Sequence, residues 1–315
     1  MIMSYRKALI VSGLALLGSL TVASAQETVR VAVPTVDEIV KASLIAADEQ
    51  GFFKKRNIKV ETTFYRGAGA CQEALAAGAA DIAVSPIAAV ATAVSKGIKE
   101  KIVAVGPIVT NSGWRIMSLS DSGIKTVKDL AGKKVGISSK NSITDFYALW
   151  VQEKYGIQFQ SVPIGGANVQ AVNAKQLDAA VFSPMLATRL NLSDKYQAVV
   201  SFGELTEPYV PSTFVAATSF RDQKPGAVKA FVDGLFEGVR YLKKNEDYSL
   251  KVLEKVTGEK DAAVLKQVYK DIIMTLGEDG KASRKEIEIA VKLTKLAGVE
   301  NPPSVDELTA PESFK

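Results

Sequence analysis

Asp81-Ile-Ala-Val-Ser-Pro86 returns in the second half of the chain as Asp178-Ala-Ala-Val-Phe-Ser-Pro184, and this repeat decides the fold. The same features stand upstream of each copy. Val29-Arg-Val-Ala-Val-Pro34, Gly51 and Arg66-Gly-Ala-Gly69 precede the first, whereas Lys133-Lys-Val-Gly-Ile-Ser138, Gly156 and Gly165-Gly-Ala167 precede the second. Each copy reads as apolar strand, polar loop, long helix, strand, small-residue turn, short helix and strand. Alternation of this kind is a βαβαβ unit and builds a parallel α/β sheet with helices on its faces. Two units predict two similar lobes, with a cleft between them lined by both sets of strand ends. Such a cleft is a clamp for a small molecule.

The first stretch stands outside that pattern. Arg6 and Lys7 precede an apolar run from Ala8 to Val22 that ends in Ala23-Ser-Ala25, the arrangement of a cleaved export leader. The run is short for a membrane anchor. Residue 26 is Gln, so no cysteine is offered for lipid attachment. The expectation is a signal peptide over residues 1–25 and a soluble protein in the periplasm. What remains is long enough for two domains with ample core. Cys71 is the single cysteine, which excludes an intrachain disulfide and reads as a small apolar filler. Net charge is +5 for the 315 residues, and no basic block suits nucleic acid. The apolar stretch Ala74 to Val94 is broken by Asp81 and Pro86, so it reads as helix, turn, buried strand and helix.

Two crossovers join the lobes: Ile102 to Thr110 with Trp114 to Leu119, then Tyr209 to Ala217. They divide the chain into lobe I (26–114 and 214–315) and lobe II (115–213), joined by a two-segment hinge. In the tail, Val228, Phe231, Val232, Leu235, Phe236, Val239 and Leu242 recur at helical steps. Pro225 suits a first helical turn, and Ser283 with Glu286 caps a last helix through about Leu296. These helices are expected to buttress lobe I.

Open parallel sheets bind ligands beyond the carboxyl ends of their strands. The loops there are short and rich in Ser, Gly and Asn, and several open a helix. Amides at a helix start, backed by the helix dipole, suit a carboxylate, sulfonate, nitrate or phosphate. The starts at Gly69 to Gln72 and at Ser139 to Ser142 are expected to face each other. Candidate contacts are Thr35, Arg66, Gly69, Ala70, Ser85, Ser139, Lys140, Asn141, Ser142, Gly166 and Ser183, with Asn111, Trp114 and Tyr209 on the crossovers. Arg66, Arg115 and Lys140 are the cations available for an anion. Trp114 serves equally well as a stacking wall or as core. Ser142 and Asp145 form a capping box. Asp81 and Asp178 read as turn-formers, and Tyr147 and Trp150 as core.

Catalysis has little support. The chain contains no histidine, which removes the commonest general base and metal ligand. One cysteine excludes a multi-thiolate metal site. No Walker loop occurs, and Gly67-Ala-Gly69 lacks the third glycine of a dinucleotide turn. Neither an enzyme nor a cofactor is expected.

Ala46-Ala-Asp-Glu-Gln-Gly-Phe-Phe53, Glu73-Ala-Leu-Ala-Ala-Gly78 before Asp81, Thr126-Val-Lys-Asp-Leu-Ala-Gly-Lys-Lys-Val135 and Gln176-Leu-Asp-Ala179 carry a resemblance. On these motifs the chain resembles the extracytoplasmic solute-binding proteins of the nitrate, sulfonate, taurine and thiamine-precursor group, which serve ATP-driven importers. The resemblance implies a type II periplasmic-binding-protein fold, closure of two hinged lobes on one small molecule, and docking to an ABC permease with its ATPase. A monomer is the simplest form of such a protein. An enzyme branch of the same group, which makes the thiamine pyrimidine, relies on a histidine that this chain lacks.

Overall fold

The computed structural model of the chain describes residues 26–34, 38–108, 113–205 and 210–314. The expected leader, Thr35, Asn111 and Tyr209 lie outside those residues. Two five-stranded sheets organise the chain. The first takes β1 (Glu27–Pro34), β2 (Ile58–Tyr65), β3 (Ile82–Ser85), β4 (Glu100–Val105) and β10 (Thr213–Ala217), in the order β2-β1-β3-β10-β4. The second takes β5 (Arg115–Leu119), β6 (Lys134–Ile137), β7 (Gln160–Pro163), β8 (Ala179–Phe182) and β9 (Tyr196–Ser201), in the order β7-β6-β8-β5-β9.

Within each sheet the three strands of the repeat are parallel, as the alternation predicts. The fourth strand runs antiparallel and is inserted beside the third: β10 in the first sheet, β5 in the second. Each arrives from the other lobe, so its direction is reversed. Both inserted strands carry a bulge on the side facing the sheet's edge strand.

Helices α1 (Glu38–Glu49), α2 (Ala68–Ala76) and α3 (Ile87–Ser95) cover the first sheet, whereas α4 (Ile143–Tyr155), α5 (Asn168–Asn173) and α6 (Pro184–Asn191) cover the second. Gly51 and Gly156 end α1 and α4 with φ of 70° and 61°, the left-handed value that glycine adopts without a Cβ penalty. Short helices α7 (Phe202–Leu205) and α8 (Thr218–Gln223) flank β10.

The tail forms α9 (Pro225–Lys244), α10 (Glu246–Thr257), α11 (Ala262–Asp271), α12 (Arg284–Leu293) and α13 (Val305–Leu308). The α9 stripe packs on α1, where Gly238 lets the two backbones touch. Ser283 and Glu286 make a complete capping box for α12. That helix stops at Leu293, and further short helices follow it. The tail also does more than buttress one lobe. Helix α11 lies on α6, and the 3-10 turn Thr294–Ala297 lies on α4, so both flanks of the second sheet rest against it. Met185 of α6 joins a core cluster with Phe231, Leu265 and Ile272, and Arg189 pairs with Glu259 at 3.5 Å.

The repeated aspartates lock the first strand of each sheet to the third. The Asp81 carboxylate accepts the Arg30 backbone N–H at 2.8 Å, and the Asp81 N–H donates to the Arg30 carbonyl at 2.9 Å. The Asp178 carboxylate accepts the Lys134 N–H at 2.8 Å, and its own N–H returns to the Lys134 carbonyl at 3.0 Å. Asp81 additionally binds the Arg30 guanidinium at 2.6 and 3.0 Å. Removing it leaves the part-buried Arg30 N–H without its acceptor and takes the carboxylate from a half-exposed guanidinium that still holds the Gly78 carbonyl at 2.7 Å. Asp81→Ala is therefore expected to cost about 1–2 kcal/mol and Asp178→Ala about 1 kcal/mol. Urea unfolding of the two variants checks this ranking; equal losses would mean that the guanidinium adds nothing.

Candidate functional site

The ends of both sheets meet around a cavity of about 70 Å³. Four helices start at its wall. Their capping residues Gly67 (α2), Pro86 (α3), Ser142 (α4) and Ser183 (α6) all line it. The two Ser-Pro pairs that close the sequence repeat, Ser85-Pro86 and Ser183-Pro184, therefore face one space from opposite sheets. Ile39, Val84, Ile108, Trp114, Ile143 and Met185 supply an apolar wall. Ser138 and Ser212 add hydroxyls. No charged side chain belongs to this lining among the described residues.

Local chemistry fixes the polar groups. The Ser142 hydroxyl accepts the Asp145 N–H at 3.3 Å and donates to the Ser139 carbonyl at 2.7 Å. The Ser138 N–H donates to the Thr144 hydroxyl at 2.8 Å, while the Ser138 and Ser142 hydroxyls meet at 2.9 Å. The Asp145 carboxylate does not return to the cap N–H as a full capping box requires. It takes the Asn141 N–H at 2.9 Å and the Lys140 ammonium at 3.1 Å. The positive charge of Lys140 is thus directed to Asp145, which is buried, and away from the cavity.

Of the residues expected to contact a ligand, Ser85, Trp114, Ser142 and Ser183 line the cavity. Trp114 is buried, with its ring 5.2 Å from Tyr147, and the Tyr147 ring lies 4.1 Å from that of Phe202 at a tilt of 34°. It is wall and core at once. Its indole N–H is buried without a hydrogen-bond partner. Arg66, Gly69 and Asn141 are exposed, Ala70 is half-buried, Gly166 is exposed, and none of these lines the cavity; neither does Lys140. Arg115 opens β5 and is also absent from the lining. Ser139 sits across from Gly67, its hydroxyl 2.7 Å from where a Cβ on Gly67 would stand. The loop before α4 approaches the start of α2 at Gly67 and not at the expected Gly69 to Gln72. Ile39, Met185 and Ser212 were not legible as cavity residues, although Met185 directly follows the repeated Ser-Pro pair.

Residues 39–248 match the family described as NMT1/THI5 like. The chain belongs to that family. Among curated proteins, a Brucella abortus (strain 2308) protein named only as a binding protein is 24% identical over 250 residues, covering 75% of this chain and 76% of its own. Two solved structures share the family fold. The alkanesulfonate-binding protein SsuA from Xanthomonas axonopodis pv. citri, bound to MOPS, superposes with a TM-score of 0.75 at 19% identity over 93% of this chain and 99% of its own. The periplasmic nitrate-binding protein NrtA from Synechocystis PCC 6803 does so with 0.68 at 14% identity over 90% and 86%. The NMT1/THI5-like chain therefore has the two-lobed α/β fold of periplasmic binding proteins. No described helix is long and apolar enough to cross a membrane.

Proposed function

We propose that this NMT1/THI5-like chain is the solute-binding component of an ABC-type importer, exported by its leader. Lobe I (26–114 and 214–315) and lobe II (115–213) close on one small molecule and present it to a permease with its ATPase. The observation that carries this reading is the convergence of four helix N-termini, two from each sheet, on one cavity. The two connecting segments touch through the Gly106 N–H and the Ser212 carbonyl at 2.8 Å, which suits a paired hinge.

The solute is small and carries one compact acceptor group, such as a sulfonate, nitrate or carboxylate. Backbone N–H groups and serine hydroxyls hold that group, and the apolar wall takes the rest. The helix dipoles supply positive potential without a cation. A second reading, a heteroaromatic thiamine-pyrimidine precursor, is favoured by Trp114 on the cavity wall.

Thermal unfolding of refolded protein against ethanesulfonate, nitrate, acetate, taurine and a thiamine pyrimidine separates the two. A ligand at about one hundred times its dissociation constant stabilises by roughly 2.7 kcal/mol. The compact anions are expected to raise the midpoint by several degrees, and Ser142→Ala to reduce that shift. A rise with the pyrimidine alone would select the second reading. No rise with any of them would remove both solute classes.

A further inference from the structure

Helix α6 serves two places at once. Its first turn, Pro184 and Met185, lines the cavity, and the helix packs on β5 and β9 of the second sheet. It also lies on α11, whose Leu265 and Val268 share one buried cluster with Phe231 of α9 and Met185. The tail is anchored on the first sheet's side, because α10 packs on α1 and the Gly277 N–H donates to the Pro107 carbonyl at 2.8 Å. Parts of both sheets therefore meet along a seam between α6 and α11.

One end of the seam touches the first crossover. A Cβ on Gly113 would stand 2.8 Å from the Pro184 Cβ and 3.5 Å from the Ile272 Cδ1. The other end carries an ion pair. Arg189, more than a turn further along α6, has its Nε 3.5 Å from Oε2 of Glu259 in the loop between α10 and α11. The two side chains are only 18% and 24% exposed. Among the described residues, this is the one ion pair that joins residues 115–213 to the rest of the chain.

The carboxylate is fixed on its own side. Glu259 Oε1 accepts the Lys260 and Asp261 N–H groups at 2.8 and 2.9 Å, and the Glu259 N–H donates to the Thr257 hydroxyl at 3.1 Å. Gly258 turns the chain there at φ 70°. Neighbouring charges are engaged elsewhere: Lys260 pairs with Glu254, and Asp261 caps α11. A carboxylate held in this way gives up little freedom when it pairs. Rotation of the lobes about the crossovers parts the seam least near Gly113 and most at Arg189. A few ångströms of opening there admit water between the charges, which removes most of their attraction.

We propose that the seam between α6 and α11 is a latch for the closed form, pinned by Arg189 and Glu259, which sets how often the lobes close before a solute arrives. A solute that binds only the closed form then changes in affinity in proportion to that closed fraction.

The latch is tested on the whole protein without a solute. A nitroxide is placed on Lys266→Cys, an exposed position of α11, with the buried native thiol removed by Cys71→Ala. Broadening of the α6 amide signals then scales with the fraction of molecules in which α6 lies on α11. Glu259→Gln keeps a carbonyl for the Lys260 and Asp261 N–H groups and removes the charge, whereas Glu259→Lys opposes two cations. Broadening of α6 is expected to fall about threefold in Glu259→Gln and further in Glu259→Lys, with broadening inside α10 unchanged. Unchanged broadening of α6 in both variants would mean a permanent contact and overturns the proposal.

The consequence for the solute rests on the function proposed above and is read separately. Ethanesulfonate affinity should fall by about the same factor in Glu259→Gln, and adding Arg189→Met to that variant should lower it little further. Losses that simply multiply would show that the two residues act through other contacts, and unchanged affinity would break the link to capture. If no form of the protein binds ethanesulfonate, the solute class fails, whereas the broadening of α6 still decides the latch.

Discussion

Glu100→Gln is expected to be more stable than the unsubstituted protein at pH 9, by about 4 kcal/mol, and equal to it within about 1 kcal/mol at pH 5. The folded carboxyl is raised from 4.5 to about 8 because burial disfavours its charge, against a smaller opposing hydrogen bond from Gln72. Between those values the folded state holds a proton that the unfolded chain has lost. Stability is therefore fully present below about pH 4.5 and declines by about 1.4 kcal/mol per pH unit up to about pH 8, where it levels off. An uncharged amide in the same position removes that slope. Urea unfolding of both proteins at pH 5, 7 and 9 measures the difference directly. Glu49, Glu237 and Glu278 are held below the usual range by their partners, but their acid-side losses are common to both proteins and cancel. Parallel pH profiles would mean that Glu100 ionises in place or reaches water on demand.

Nothing local marks Glu100 in the sequence. It lies in Ser95-Lys-Gly-Ile-Lys-Glu-Lys101, which reads as a solvated turn, and only the two-residue step to buried Ile102 puts it inside. The same limit explains what else was and was not legible. The repeat exposed both parallel sheets, because strand, helix and glycine spacing are local patterns. It also exposed the Ser-Pro pairs and the two aspartates, which repeat with it. The antiparallel insertions β5 and β10 follow from which sheet the chain enters after each crossover, and no period of two or four residues encodes that. Lys140 stands in a candidate loop, but its direction is set by Asp145 reaching back from the first turn of α4. The amphipathic tail showed that a face is buried. That α11 packs on α6 and residues 294–297 on α4 is a matter of how the two sheets come together.

That approach has a tight point, and Gly67→Ala should act on it. Gly67 caps α2 at φ 90° and ψ 171°, a region open essentially to glycine, and its position lies within 2.7 Å of the Ser139 hydroxyl and 3.2 Å of the Ser139 Cβ for any added methyl. The methyl meets two separate costs. Backbone strain of about 1–3 kcal/mol stays inside the first lobe and lowers stability whether or not the lobes meet. The clash with Ser139 arises only when α2 and the loop before α4 come together, so it opposes closure itself. Affinity for a captured solute is therefore expected to fall more than tenfold, which corresponds to about 1.4 kcal/mol or more withheld from the closed form. The radius of gyration from small-angle scattering should rise with it. A second change, Ser139→Gly, separates the costs: it should restore much of the affinity and the compact radius while leaving the loss of stability in place. If Gly67→Ala alone keeps both the radius and the affinity, the contact between Gly67 and Ser139 plays no part in closure, and the clamp must shut on the flanks made by α6 and α11.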